Sequence, residues 1–197
     1  MCNEMTTWEK AVEFHGHVCP GLAIGYRAAV EAMDRLNEER AADEEIVAIV
    51  ETDACGVDAV QLITGCTFGK GNFFFRDVGK QAFSFGVRGK DKGLRLILKN
   101  GVIDDLAPEG WAELREKVFN KTAAPEEQSR FKELHRQATE KLLEEPLENI
   151  MEMKTIEMNF PPKARIFNTV ECAFCGEGVM EPRARVKEGE IACQDCL

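Results

Sequence analysis

Two Cys-x2-Cys pairs close this chain, Cys172/Cys175 and Cys193/Cys196, with seventeen residues between them. That spacing constrains folding more than any other feature. A segment of under forty residues cannot stabilise itself on a hydrophobic core, whereas four thiolates in two short knuckles match tetrahedral structural zinc. Gly176, Gly178 and Gly189 permit the tight turns such a module needs. Zinc binding would then supply the folding free energy, and a site closed at four ligands is structural rather than catalytic. A redox dithiol pair and rubredoxin-like iron are the alternatives, since iron accepts the same thiolates. The chain is expected to divide into a core domain, 1–160, and a four-cysteine zinc-ribbon or treble-clef-like module, 161–197, with the boundary near Pro161.

The second constellation opens the chain: His15-Gly16-His17-Val18-Cys19-Pro20-Gly21. Pro20 suits the first position of a helix, which puts Cys19 at or beside the N-cap, where the helix dipole favours a thiolate. Cys55 and Cys66 occupy turns as well, in Thr52-Asp53-Ala54-Cys55-Gly56-Val57-Asp58 and Gly65-Cys66-Thr67-Phe68-Gly69-Lys70-Gly71. Convergence of His17, Cys19, Cys55 and Cys66 would make a mixed nitrogen and sulfur site suited to zinc, with iron or nickel also accommodated. Asp53 or Asp58 would orient a ligand or move a proton, and Lys70 would clamp an anion or lower a thiolate's pKa. Three other readings stay open. The thiols could be unrelated and buried, Cys55 and Cys66 could form a disulfide, or Cys19 could be a nucleophile with His17 as its base. His135 reads as a solvated residue in the middle of a charged helix, and Cys2 is assigned nothing.

Periodicity supplies the frame. Thr6 and Glu9 form a capping box for a helix over 7–15. Leu22, Tyr26, Ala29, Met33 and Leu36 make an apolar stripe for a helix from Pro20 to about Arg40. Gly25, Ala28, Ala29 and Ala32 keep part of its surface thin enough for another backbone to approach, within the chain or across a dimer. Residues 46–51 read as a buried strand and 59–63 as helical. Strands near 73–78, 82–88 and 94–99 read as an antiparallel meander. Helices follow over about 109–120 and 125–145, and 146–170 is an extended connector. The class is α+β, a mostly antiparallel sheet with packed helices plus the small cysteine module.

Charge narrows the partners. The chain has 197 residues and a net charge of −10, which argues against non-specific nucleic-acid binding. Residues 70–99 nevertheless hold eight basic and two acidic residues, a block that suits a small anionic ligand or a solvated strand face. No apolar run reaches bilayer length and no export signal is evident, so a cytoplasmic, non-membrane protein is expected.

The three motifs His15–Gly21, Asp53–Ala59 and Thr64–Asn72, in this order, resemble the E-subunit family of formylmethanofuran dehydrogenase, often labelled by the tungsten form of that enzyme. The resemblance covers roughly residues 8–150; some members carry a C-terminal zinc module. It implies an α+β core, a metal site using His17 and the motif cysteines, and a homodimer with helices exchanged between its two copies. It does not imply formylmethanofuran oxidation by this chain alone, which needs a pterin-bound metal on a different polypeptide. Two functions fit. One is a metal-dependent enzyme, or part of one, in one-carbon or anaerobic redox metabolism. The other is a non-catalytic accessory protein that handles metal or sulfur and docks a larger oxidoreductase.

Overall fold

The computed structural model describes residues 5–197, and the chain divides into two compact units, one ending at Pro162 and the other Lys163–Leu197. Cys2 lies outside the described residues. The first unit is a five-stranded sheet with helices packed on one face. Its strands are β1 (Ile46–Val50), β2 (Phe73–Phe75), β3 (Ala82–Val87), β4 (Lys92–Leu98) and β5 (Met151–Glu157), in the order β2-β1-β3-β4-β5. The sheet is antiparallel except for β1 and β2, which run parallel.

This corrects the expected meander. The strand at 73–75 does not pair with β3, because β1 lies between them. Val50 faces Phe83 on one side of β1 and Phe75 on the other. A strand as uniformly apolar as Ile-Val-Ala-Ile-Val belongs in the sheet interior, and the short Phe73–Phe75 segment is left as the edge. The connector beyond Pro146 supplies the opposite edge as β5.

Registers sort the side chains cleanly. Ile46, Ala48 and Val50 share a face with Phe83, Phe85 and Leu96, and these residues form the core. The opposite face is mixed, carrying Val47, Ile49 and Ile97 beside Ser84 and Arg95, and Arg95 donates to both oxygens of Glu51 at 2.8 and 2.9 Å. Gly86 and Gly93 are directly opposed across β3 and β4. A Cβ at Gly93 would lie 2.5 Å from Met158 Cγ, so this bare spot is what lets the chain after β5 fold back over the sheet.

The helices are α1 (Thr7–His15), α2 (Pro20–Leu36), α3 (Gly56–Thr64), α4 (Val102–Leu106), α5 (Trp111–Phe119), α6 (Pro125–Glu144) and α7 (Leu147–Ile150). The capping box forms as expected, Glu9 N–H donating to Thr6 Oγ1 and Thr6 N–H to Glu9 Oε2. Helix α2 stops short of Arg40 because Asn37 turns left-handed, at φ 53°, and closes it. Arg27 reaches from α2 to donate to the carbonyls of Leu142, Leu143 and Glu145, tying down the end of α6. No helix of the described residues is long and apolar enough to cross a membrane.

The second unit is two hairpins, β6 (Thr169–Glu171) with β7 (Gly178–Met180) and β8 (Arg185–Lys187) with β9 (Glu190–Ala192). Cys172 and Cys175 follow β6; Cys193 and Cys196 follow β9. The hydrogen bond from Ala173 N–H to Ile191 O joins the two hairpins.

Candidate metal centres

The crossing of α2 and α3 builds the core site. Gly25 and Gly56 meet backbone to backbone, and a Cβ at Gly25 would fall 2.0 Å from Gly56 O. The thin surface of α2 therefore receives a backbone from its own chain. A Cβ at Gly21 would lie 3.2 Å from Cys55 Cβ, so the same contact sets Cys55 beside the start of α2. Helix α1 completes the arrangement. Trp8 packs edge-on against Tyr26, and Ala11, Leu22 and Ala59 form a small apolar floor with Cys19.

Cys19 caps α2, and its Sγ accepts the Leu22 N–H at 3.4 Å. His15 is the last residue of α1. Gly16, at φ 91°, turns the chain so that both imidazoles face the same point, their centroids 4.4 Å apart. Donor atoms of His15, His17, Cys19 and Cys55 all lie within 4.8 Å of one another, with Cys19 Sγ 3.8 Å from His15 Nε2. Asp58, in the first turn of α3, accepts from His15 Nδ1 at 2.7 Å. That bond fixes the proton on Nδ1 and leaves the Nε2 lone pair aimed at the sulfur, the orientation a metal ligand needs.

Three expected site residues lie elsewhere. Helix α3 spans nine residues, about 13 Å at 1.5 Å per residue, and separates Cys55 from Cys66 at its two ends. Cys66 is fully buried and its Sγ donates to Ile46 O at 3.3 Å, so it is a packed core thiol and not a ligand, and a Cys55–Cys66 disulfide is out of reach. Lys70 sits at that far end and donates to the carbonyls of Ala41 and Ala42. Asp53 is exposed in the turn before Cys55 and is not in the ligand group. His15 takes the fourth place. Its signal is the four-residue step to Cys19, which a helix end and a left-handed glycine convert into proximity.

Two more expectations change. Burial outweighs the helix dipole at Cys19 and pushes its thiol up to about 11, despite the Leu22 N–H. Burial in this direction disfavours a free thiolate unless a metal displaces the proton. His135 is half-buried rather than solvated. It lies against Trp111 and Phe131, accepts the Trp111 indole N–H at 3.4 Å, and is held below its ordinary pKa by burial and then by the charge of His17.

In the second unit Cys172, Cys175, Cys193 and Cys196 also lie within 4.8 Å of one another, with Cys175 and Cys193 sulfurs 3.8 Å apart. Tetrahedral zinc with 2.3 Å bonds to sulfur requires about 3.8 Å between sulfurs. The Cys193 N–H donates to Cys172 Sγ and draws that thiol down to about 6, while hydrogen bonding to Cys193 drives Cys196 up to about 12. Four crowded thiols cannot ionise together unaided, and a divalent cation resolves the conflict. Both donor sets thus fit a thiophilic transition ion.

A family model described as FmdE, molybdenum formylmethanofuran dehydrogenase operon, matches residues 14–152. The chain belongs to the FmdE family. The matched span holds all four core donors and Asp58 and ends before the four-cysteine unit. A probable S-adenosyl-L-methionine-binding protein of Archaeoglobus fulgidus is 37% identical over 186 residues, covering 91% of this chain and 50% of that protein. The chain spans about half the length of this curated relative. The crystal structure of an FmdE-like protein of the tungsten formylmethanofuran dehydrogenase type, from Syntrophus aciditrophicus, superposes with a TM-score of 0.60 at 28% identity, covering 96% of this chain and 91% of that one.

Proposed function

We infer that this FmdE-family chain is a two-metal protein in one-carbon metabolism, with a reactive ion in the core and a structural zinc in the C-terminal module. The observation that carries this is the convergence of His15, His17, Cys19 and Cys55, from three helix ends and a loop, on one point, with Asp58 bonded behind His15. Carboxylate–histidine support of this kind accompanies metal ligation. Zinc is the first candidate for the core ion, with iron or nickel also suited to the donors. Such an ion, when bound, polarises a carbonyl or activates water.

The chain's own residues divide the labour. Cys19 and Cys55 are held by the helix crossing and form the fixed side of the site. Asp58 keeps His15 in one tautomer and can accept a proton from it. His17 is exposed, in the short link between α1 and α2, so it would hold the ion on the side open to substrate. The names of the two relatives, one set in formylmethanofuran dehydrogenase and one naming a methyl donor, support a one-carbon substrate. The separate four-cysteine unit favours the accessory reading, in which this module docks a larger oxidoreductase and the full chain alone shows no turnover.

Elemental analysis of the full chain tests the core of this reading. Two equivalents of metal per chain are expected, falling to one in Cys55→Ser. One equivalent in the wild type, lost entirely in Cys175→Ser/Cys193→Ser, would overturn it.

A further inference from the structure

Away from both cysteine clusters, a cleft of about 350 Å³ opens where the start of β3 and the end of β4 meet α4 and α5. Its walls are of three kinds. Ile97, Leu98 and Val102 make an apolar side. Lys80, Lys99 and Arg115 bring three positive charges to it, against the one carboxylate of Asp104. Gln81 also lines it, and its side-chain Oε1 is buried with no hydrogen-bond partner among the described residues. Native proteins seldom leave such an acceptor without a donor, and an unfilled one in a cleft wall marks where a ligand's N–H or O–H would sit.

The basic groups are pre-positioned. Arg115 stacks over the Trp111 ring at 4.5 Å and pairs with Asp104 at 3.1 Å, an exposed link that leaves guanidinium donors for an anion. Lys99 is anchored through Glu148 O, one bond of the three its ammonium can make. Lys80 is exposed, and its charge also acts on Glu51. Lys70, the residue expected to hold an anion, is occupied elsewhere by backbone carbonyls.

We propose that this cleft binds a nucleoside monophosphate, with the phosphate on Lys80, Lys99 and Arg115, the flat base against Ile97, Leu98 and Val102, and a base or ribose donor on Gln81 Oε1. The three wall chemistries define the class: an inorganic anion leaves the apolar side and the buried oxygen unmet, and an uncharged nucleoside leaves the cations unmet. The volume is that of a small-ligand site.

Calorimetric titration of the full chain with adenosine monophosphate, adenosine and inorganic phosphate tests it. One molecule of the monophosphate per chain is expected, bound about tenfold or more tighter than either fragment. Gln81→Leu, which replaces an unpartnered buried polar group with an apolar one, is expected to keep or raise the melting temperature while weakening the monophosphate about tenfold. Lys80→Glu, on the exposed rim, is expected to abolish phosphate dependence without touching the core. No binding of the monophosphate at millimolar concentration would overturn the proposal. So would affinity no better than phosphate alone, or affinity unchanged in both variants.

Discussion

At the residue scale, the core site depends on a side chain that ligates nothing. Asp58 holds the Nδ1 proton of His15, and without it the imidazole is free to rotate or to present the wrong nitrogen. Asp58→Asn leaves the size of the group unchanged but removes the charge. We expect core-metal affinity to fall about 10–100-fold by competition with a chelator, with the four-cysteine site unaffected. Asp58 is legible in the sequence as one of two candidate acids, because both flank Cys55 in the same turn. The choice between it and Asp53 is not, since it turns on which carboxylate the first turn of α3 aims at α1. Cys66 misleads for a related reason: a cysteine in a glycine-rich turn reads alike whether its sulfur points to a site or into the core.

At the scale of elements, the bare contact between Gly25 and Gly56 is what turns two helices into a site. Helix α2 can be read from its apolar stripe, its proline and its N-cap, and its thin surface predicts a close neighbour without naming it. The neighbour is α3, whose first residues, Gly56-Val57-Asp58, look like turn and so make the helix read shorter than it is. The same shortening hides the distance between Cys55 and Cys66. Gly25→Ala forces a Cβ into Gly56 O. Overpacking of this kind typically costs about 1–3 kcal/mol. The expected outcome is a lower melting temperature together with loss of the core metal, because spreading the helices carries Cys55 away from Cys19. A variant that loses stability but keeps its core metal would separate the crossing from the site.

For the molecule as a whole, the two units rest on different physics. The first has a continuous apolar core, in which Ile46, Phe83, Phe85 and Leu96 of the sheet pack with Ile24 and Ala28 of α2. The second keeps few buried apolar side chains, Ala192 and Cys172 among them, so its fold depends on what the sulfurs hold. Removal of metal by a strong chelator should therefore erase amide-exchange protection in 163–197 while β1, β3 and β4 stay protected. Equal loss in both units would mean that the core also needs its ion to fold. The α+β class and the cysteine module are legible because periodicity and Cys-x2-Cys spacing are local signals. Strand order is not, because the parallel pairing of β1 with β2 brings together residues more than twenty positions apart that carry no mark of their partner.

Anomalous diffraction from crystals of the full chain, collected on both sides of the zinc, iron and nickel edges, tests the central claim most directly. The expected result is two peaks per chain, one bounded by His15, His17, Cys19 and Cys55 and one by Cys172, Cys175, Cys193 and Cys196. A single peak among the C-terminal cysteines, with His15 still bonded to Asp58 and Cys19 protonated beside it in metal-replete protein, would contradict it.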